Sequence, residues 1–377
     1  MSKPLRILQI TEVPSAGVGR HLSELSVELV ERGHDVHLIY SPTRADSFFL
    51  NAVKDCESLK KCVVKMRRSP HPSDIAAVGL VNQYILKHGP FDVIHGHSSK
   101  GGAIARLAIP CRKTRFIYTP HTMYTMNPNL SRMAYHIYRR IELALALRTD
   151  ELIANSPEEE RHIVALGVPA RKVHYIHYGI APNPPLERSV ARAEFGLPAD
   201  AVIIGFVGRL EPQKDPVLLL NAMRQVMSRH PNVVLAVVGS GSLEASLKQL
   251  AIDLGIQEKV FWLGYRSGVR LMAAIDLLAV TSSYDAVSYT LIEGLFTGLP
   301  MISTEYAGVD IAIVEGRNGF IVPSRDPNDF AAAFEPLLAS SDQRQQFRQA
   351  SLQKAGEFTL DKMVTRTVAL YSSAEAR

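Results

Sequence analysis

Short apolar runs alternate with stretches whose apolar residues recur three and four positions apart, and the alternation restarts past the middle of the chain. Residues 5–10 read as a buried strand. Gly17-Val18-Gly19-Arg20-His21 then opens a helix whose inner face is Leu22, Leu25, Leu29 and Val30, and residues 36–40 form the next strand. Strand, glycine turn, helix and strand is the repeating unit of a parallel sheet. Residues 91–94 give a strand ending in His95-Gly96-His97, and residues 115–119 one ending in Pro120-His121-Thr122. Residues 130–148 predict a long helix rich in Arg, His and Tyr, and strands at 152–154 and 173–176 complete the first half.

The second half repeats the pattern. Strands are expected at 202–207, 233–238, 260–265, 277–280 and 301–303, with helices from Pro216 and from Gly239-Ser240-Gly241 to Leu254. Leu291, Ile292, Leu295 and Phe296 make a helical stripe that Gly298 and Pro300 stop. Helices at 327–338, 341–355 and 360–371 close the chain. Residues 179–185, with Gly179, Pro182, Asn183, Pro184 and Pro185, mark a linker. The expectation is therefore α/β, with two Rossmann-like domains.

At 377 residues the chain is long enough for two domains, and 46% hydrophobic with 21% charged residues is a globular composition. Cys56, Cys62 and Cys111 have no metal-ligand spacing, so reduced thiols in a cytoplasmic protein are expected. Neither a secretory leader nor a membrane-spanning run is expected. Charge is uneven. Residues 1–180 carry 24 Lys+Arg against 16 Asp+Glu, and residues 181–377 carry 18 against 21. The basic half could face an anionic surface or simply be solvated. Without a zinc-finger spacing, an RNP-type motif or a basic zipper helix, no nucleic-acid partner is expected.

Ligands of open α/β sheets bind outside the carboxyl ends of the strands. Gly17 and Gly19 lie at such an end. They fall short of a full dinucleotide fingerprint but could admit a phosphate or sugar, or simply form a tight turn. His95 and His97 face one way on their strand, yet no third ligand is evident nearby, so no metal is expected there. Arg209 and Lys214 follow a second-half strand and suit a diphosphate, one as a fork and one as a point charge. Asp285 and Glu293 are separated by seven residues. A fully helical span would set them about 12 Å apart. That is too far for an acid/base pair across one glycosidic bond, which needs roughly 5–9.5 Å, and better suits an elongated ligand with its anion at the helix N-terminus.

The stretch from Asp285 to Glu293, followed by Gly298-Leu299-Pro300-Met301-Ile302-Ser303-Thr304, resembles the E-x7-E signature of the retaining glycosyltransferases of family four, which have the GT-B fold. The first acid there is usually Glu; here it is Asp285. Gly208 to Lys214 resembles the family's G-R-x-x-x-x-K phosphate motif, and Thr119-Pro120-His121-Thr122 its donor-sugar loop. Tyr178-Gly179-Ile180-Ala181 stands where relatives read N-G-V-D, and Ile311, beside Asp310, where they usually have Glu.

The resemblance implies two domains facing a cleft: residues 1–180 with a final helix in 360–377 for the acceptor, and 181–359 for the donor. It implies retaining transfer of a hexose-type sugar from a UDP- or GDP-sugar, with no metal or other cofactor. The acceptor would be a glycan or polyprenyl-linked carrier in surface polysaccharide synthesis. Catalytic roles fall to His121, Asp285, Arg209 and Lys214. Donor binding falls to Gly17, Gly19, Arg209, Lys214, Gly264, Tyr265 and Glu293, with Glu293 on the ribose. No side-chain nucleophile is apparent, so same-face attack through an ion-pair-like transition state is implied. Arg132, Arg139 and Arg140 are candidates for contact with acceptor or anionic membrane at the inner face of the cell membrane. A nucleotide-sugar-binding protein or an epimerase of the same fold remains the alternative.

Overall fold

The computed structural model describes residues 3–109, 113–127, 129–182, 186–266, 268–285 and 288–373. Cys111 and the linker residues Asn183, Pro184 and Pro185 lie outside them. The chain forms two compact units, Met1–Gly179 with Leu360–Arg377, and Ile180–Thr359.

The first unit holds seven strands: β1 (Arg6–Thr11), β2 (Asp35–Tyr40), β3 (Lys60–Val63), β4 (Val93–His97), β5 (Arg115–Thr119), β6 (Glu151–Ala154) and β7 (Val173–Tyr175). They pair in parallel in the order β3-β2-β1-β4-β5-β6-β7. Strand order reverses between β1 and β4, so the crevice where a ligand can enter lies beyond Thr11 and His97. One face of the sheet is closed by Leu22, Leu25 and Leu29 of helix Ala16–Glu31, together with Met363, Val364 and Tyr371 of the last helix, Leu360–Ser372. The other face packs Val81 and Ile85 of helix Ser73–His88 and Ile104 of helix Ser98–Leu107 on Leu8, Ile10 and Ile94. Strand β3 reads as a basic cluster in the sequence. Its lysines are exposed on the sheet's edge, where charge discourages pairing with another chain.

The second unit holds β8 (Val202–Val207), β9 (Val233–Val238), β10 (Val260–Trp262), β11 (Leu277–Val280), β12 (Met301–Thr304) and β13 (Gly319–Val322), all parallel, in the order β10-β9-β8-β11-β12-β13. Its reversal lies between β8 and β11. Met223, Val226 and Leu247 cover one face over Leu235 and Val237. The single helix expected at 327–338 is two, Pro327–Ala332 and Glu335–Ala339, because Pro336 cannot continue the first and starts the second. Among the described residues no helix is long and apolar enough to cross a membrane.

Candidate active site

In the second unit the carboxyl ends of β8 and β11 carry the candidate phosphate grip. After β8 the chain passes Gly208 and Arg209, makes the single turn Pro212–Lys214, and enters helix Pro216–Arg229 through Asp215. Asp215 adopts a left-handed backbone (φ 41°) and its carboxylate accepts from Leu218 N at 3.2 Å, capping that helix. Three bonds bind this turn to the segment after β11, and a fourth holds Arg209 to the turn. Thr281 Oγ1 donates to Lys214 O (2.8 Å), and Ser283 N to Gln213 O (2.8 Å). Gln213 Nε2 donates to Tyr284 O (3.0 Å), and Arg209 Nη2 to Gln213 Oε1 (2.8 Å). Lys214 Nζ is ion-paired with Asp285, both largely shielded from solvent. Arg209 is exposed.

Asp285 precedes the helix Tyr289–Thr297 instead of lying in it, with Ser288 extended at the N-cap. The fully helical case that would set the two acids about 12 Å apart does not apply, and Asp285 turns toward Lys214. Glu293 sits in the helix and is buried, together with Leu291, Ile292 and Leu295.

Glycines bring the strand ends together. A side chain on Gly239 would lie 1.8 Å from Gly208 O, and one on Gly241 2.3 Å from Leu210 O. Both glycines are consumed by this approach, so the helix expected to start there begins only at Glu244. Gly239 N donates to Gly264 O (2.9 Å), fixing the turn after β10, and the ring of Tyr265 next to it is 75% exposed.

In the first unit Gly17 and Gly19 lie in the first turns of helix Ala16–Glu31, not in a loop before it. Gly19 N bonds Ser15 O at 3.0 Å, and a side chain on Gly19 would meet the Pro14 backbone at 2.7 Å, which accounts for that glycine by packing. The carboxyl ends of β1, β4 and β5 carry a buried histidine network. His95 bonds Tyr371 OH (Nδ1, 2.6 Å) and Thr119 Oγ1 (Nε2, 2.8 Å). His97 bonds Gln9 Oε1 (Nε2, 2.6 Å) and His121 Nε2 (Nδ1, 3.1 Å), and His121 Nδ1 bonds Tyr178 OH at 2.9 Å. Burial pushes His21 down to about 3 and holds His95, His97 and His121 well below the ordinary imidazole range, so all four are neutral at neutral pH.

A third imidazole that the sequence did not show stands nearby: ring nitrogens of His21, His97 and His121 all lie within 4.8 Å of one another. The sequence placed His21 only as the residue after a glycine turn, and no spacing rule links it to β4. Glu159 also escaped notice. It is buried and accepts from Thr122 N and Asn155 N, each at 2.8 Å, clamping the turn in which His121 (φ 56°) and Thr122 (φ 86°) are left-handed. The Ser156-Pro157-Glu158-Glu159 cap was the signal.

The three candidate arginines of helix Arg132–Ala146 do not all face solvent. Arg139 is half-buried and its Nε donates to Leu166 O (3.1 Å), while Arg132 and Arg140 are exposed. The ridge open to solvent is apolar: Met133, Ile137 and Ile141 are 75%, 50% and 45% exposed.

Two family models divide the chain: "Glycosyltransferase Family 4" matches residues 15–183 and "Glycosyl transferases group 1" residues 187–354. A protein named D-inositol 3-phosphate glycosyltransferase from Geodermatophilus obscurus is 30% identical over 307 residues, covering 76% of this chain and 67% of that relative. Its namesake in Corynebacterium urealyticum is 27% identical over 391 residues, covering 95% and 91%. Anabaena HepE, solved with UDP, superposes with a TM-score of 0.82 at 20% identity, covering 99% of this chain and 100% of that one. WaaG, a glycosyltransferase involved in lipopolysaccharide biosynthesis, gives 0.74 at 18%, covering 98% and 100%. With its parallel sheets and the motifs around Arg209, Lys214, Asp285 and Glu293, the chain belongs to the family 4, group 1 glycosyltransferases and is a glycosyltransferase of the GT-B fold.

Proposed function

We propose that the protein transfers a sugar, with retention of configuration, from a UDP- or GDP-sugar held by the second unit. The observation that carries this is the shielded Lys214–Asp285 pair beside Arg209 at the carboxyl ends of β8 and β11. Two cations held in place before reaction offset the charge that develops on a leaving diphosphate, so the transfer step needs no metal. Glu293 serves the ribose, and Asp285 positions both Lys214 and the donor sugar. Structures of Anabaena HepE with UDP and with UDP-glucose support a nucleotide-sugar donor.

The acceptor in this reading is a glycan on a lipid carrier at the inner face of the cell membrane, used in surface polysaccharide synthesis. Met133, Ile137 and Ile141 form an apolar ridge, and Arg132 and Arg140 beside it supply the charge for an anionic surface. The names of the relatives favour a second reading, a soluble phosphorylated polyol such as inositol phosphate.

Nucleoside diphosphate release from a panel of UDP-, GDP- and ADP-sugars tests the donor, and NMR of the product's anomeric proton tests retention. Asp285→Asn should abolish release and Asp285→Glu should restore part of it. Native release by the Asn variant would remove Asp285 from the reaction. Activity with inositol phosphate and no binding to anionic vesicles would select the second acceptor.

A further inference from the structure

We propose that the first unit binds one divalent transition-metal ion, of which zinc is the type, between His21, His97 and His121. The three ring nitrogens are already gathered within 4.8 Å. His97 Nδ1 and His121 Nε2 stand 3.1 Å apart, close to the roughly 3.3 Å between two nitrogens each about 2.05 Å from a tetrahedral zinc. His21 lies on the same cluster, its ring centroid 4.9 Å from that of His121 and 5.7 Å from that of His97.

In one tautomer His121 Nε2–H donates to His97 Nδ1 and the chain is satisfied without an ion; in the other the site is set to take one. Gln9 Oε1 can only accept, so His97 Nε2 carries the ring proton and Nδ1 keeps its lone pair. When His121 Nδ1 donates to Tyr178 OH, His121 Nε2 is a lone pair too, and the two lone pairs face each other. A cation between them relieves that opposition, and no proton leaves, since His121 only changes tautomer. Gln9 and Tyr178 then play the part of far-side partners that orient ligating imidazoles. His21 is 4% exposed and its Nδ1 is buried without a hydrogen-bond partner, so a bound ion would satisfy an otherwise wasted group. Three neutral nitrogens leave a fourth coordination position for water or an anion. The site shares no residue with Arg209, Lys214 and Asp285, and it takes up His121, the residue that the family resemblance gives to the donor sugar.

Cobalt(II) is the probe. One equivalent added to the native chain should give the intense visible absorption of a four- or five-coordinate nitrogen site, and one equivalent of zinc(II) should discharge it. His21→Gln should lose the band. His95→Gln, a buried neighbour outside the triad, should keep it. Tyr178→Phe should weaken cobalt affinity about 10- to 100-fold. A pale six-coordinate spectrum from the native chain, or an undiminished band in His21→Gln, overturns the proposal. Zinc K-edge absorption of the zinc-loaded native chain decides independently of any variant's folding: an imidazole-nitrogen shell supports the site and an oxygen-dominated shell overturns it.

Discussion

Gly241→Ala is the sharpest test of the phosphate grip. The added methyl would lie 2.3 Å from Leu210 O, 2.6 Å from Leu210 C and 2.8 Å from Leu210 N, where ordinary contact begins at 3.4 Å. The obstacle is main chain, which cannot rotate aside, so residue 210 must retreat by about 1 Å. Leu210 N donates to Ser240 O (2.9 Å) and Leu210 O accepts from Leu243 N (3.0 Å), and the retreat strains both bonds. Overpacking of this kind costs about 1–3 kcal/mol, and each lost bond about 1 kcal/mol more. Arg209 is the next residue along and moves with Leu210. A shift of about 1 Å at a positioning group costs on the order of 100-fold in turnover. Urea unfolding gives the stability and nucleoside diphosphate release gives kcat/KM. Gly255→Ala is the control: its backbone is left-handed (φ 69°) but nothing lies within 4 Å of the added methyl, so it should cost about 1 kcal/mol of stability and no activity. A folded Gly241→Ala enzyme within threefold of native kcat/KM would refute the argument, because the Arg209 segment would then not need its position.

Lys214→Ala should lower kcat by about 10²–10³, as loss of a preorganised charge does, with native circular dichroism; Arg209→Ala, at an exposed position, should lose less. If the two rank the other way, the exposed arginine is the principal diphosphate contact. Glu293→Ala should weaken binding of the preferred nucleotide, read by calorimetry, by about 1–3 kcal/mol, and unchanged affinity would remove Glu293 from the ribose. Burial pushes the Glu159 carboxyl up to about 7, against the backbone donors at Asn155 and Thr122. The native chain thus holds a proton that the unfolded chain, near 4.5, does not. The stability this confers is full below about pH 4.5 and is lost as pH rises through 7. Native stability relative to Glu159→Gln should therefore fall from pH 5 to pH 8, a comparison that cancels the opposite contribution of the buried histidines. A difference independent of pH would mean that Glu159 keeps an ordinary carboxyl.

The strand frame was legible because parallel strands buried on both faces read as continuous apolar runs, and β5, β8, β9 and β11 begin and end where those runs do. Edge elements were not. Strand β3 carries Lys60 and Lys61 because nothing covers its outer side, so its apolar signal is half missing. The placement of the candidate phosphate grip was legible for a different reason: Arg209, Lys214 and Asp285 stand in turns at strand ends, and a turn's place in the chain fixes its place in the fold. What the sequence could not supply was the partner of each group. Spacing alone allowed Asp285 and Glu293 to be two ends of one helix. The structure starts the helix at Tyr289 and gives Asp285 to Lys214, a pairing across two loops that no local period encodes.

The histidines carry the same lesson further. His95 and His97 were visible as a two-residue step on one strand, and His121 as a residue in a turn. His21 was hidden in a helix whose other buried positions are leucines and the small residues Gly19, Ser23 and Ser26. Only the strand order β1-β4-β5, with helix Ala16–Glu31 laid beside it, brings His21 to the other two. A periodic pattern reports which side of an element is buried, and His21 obeys it. It cannot report that the same burial, shared by four imidazoles from three segments, strips them of water and leaves His21 Nδ1 without a hydrogen-bond partner. That shared desolvation, not any single residue, makes this end of the first unit chemically distinct.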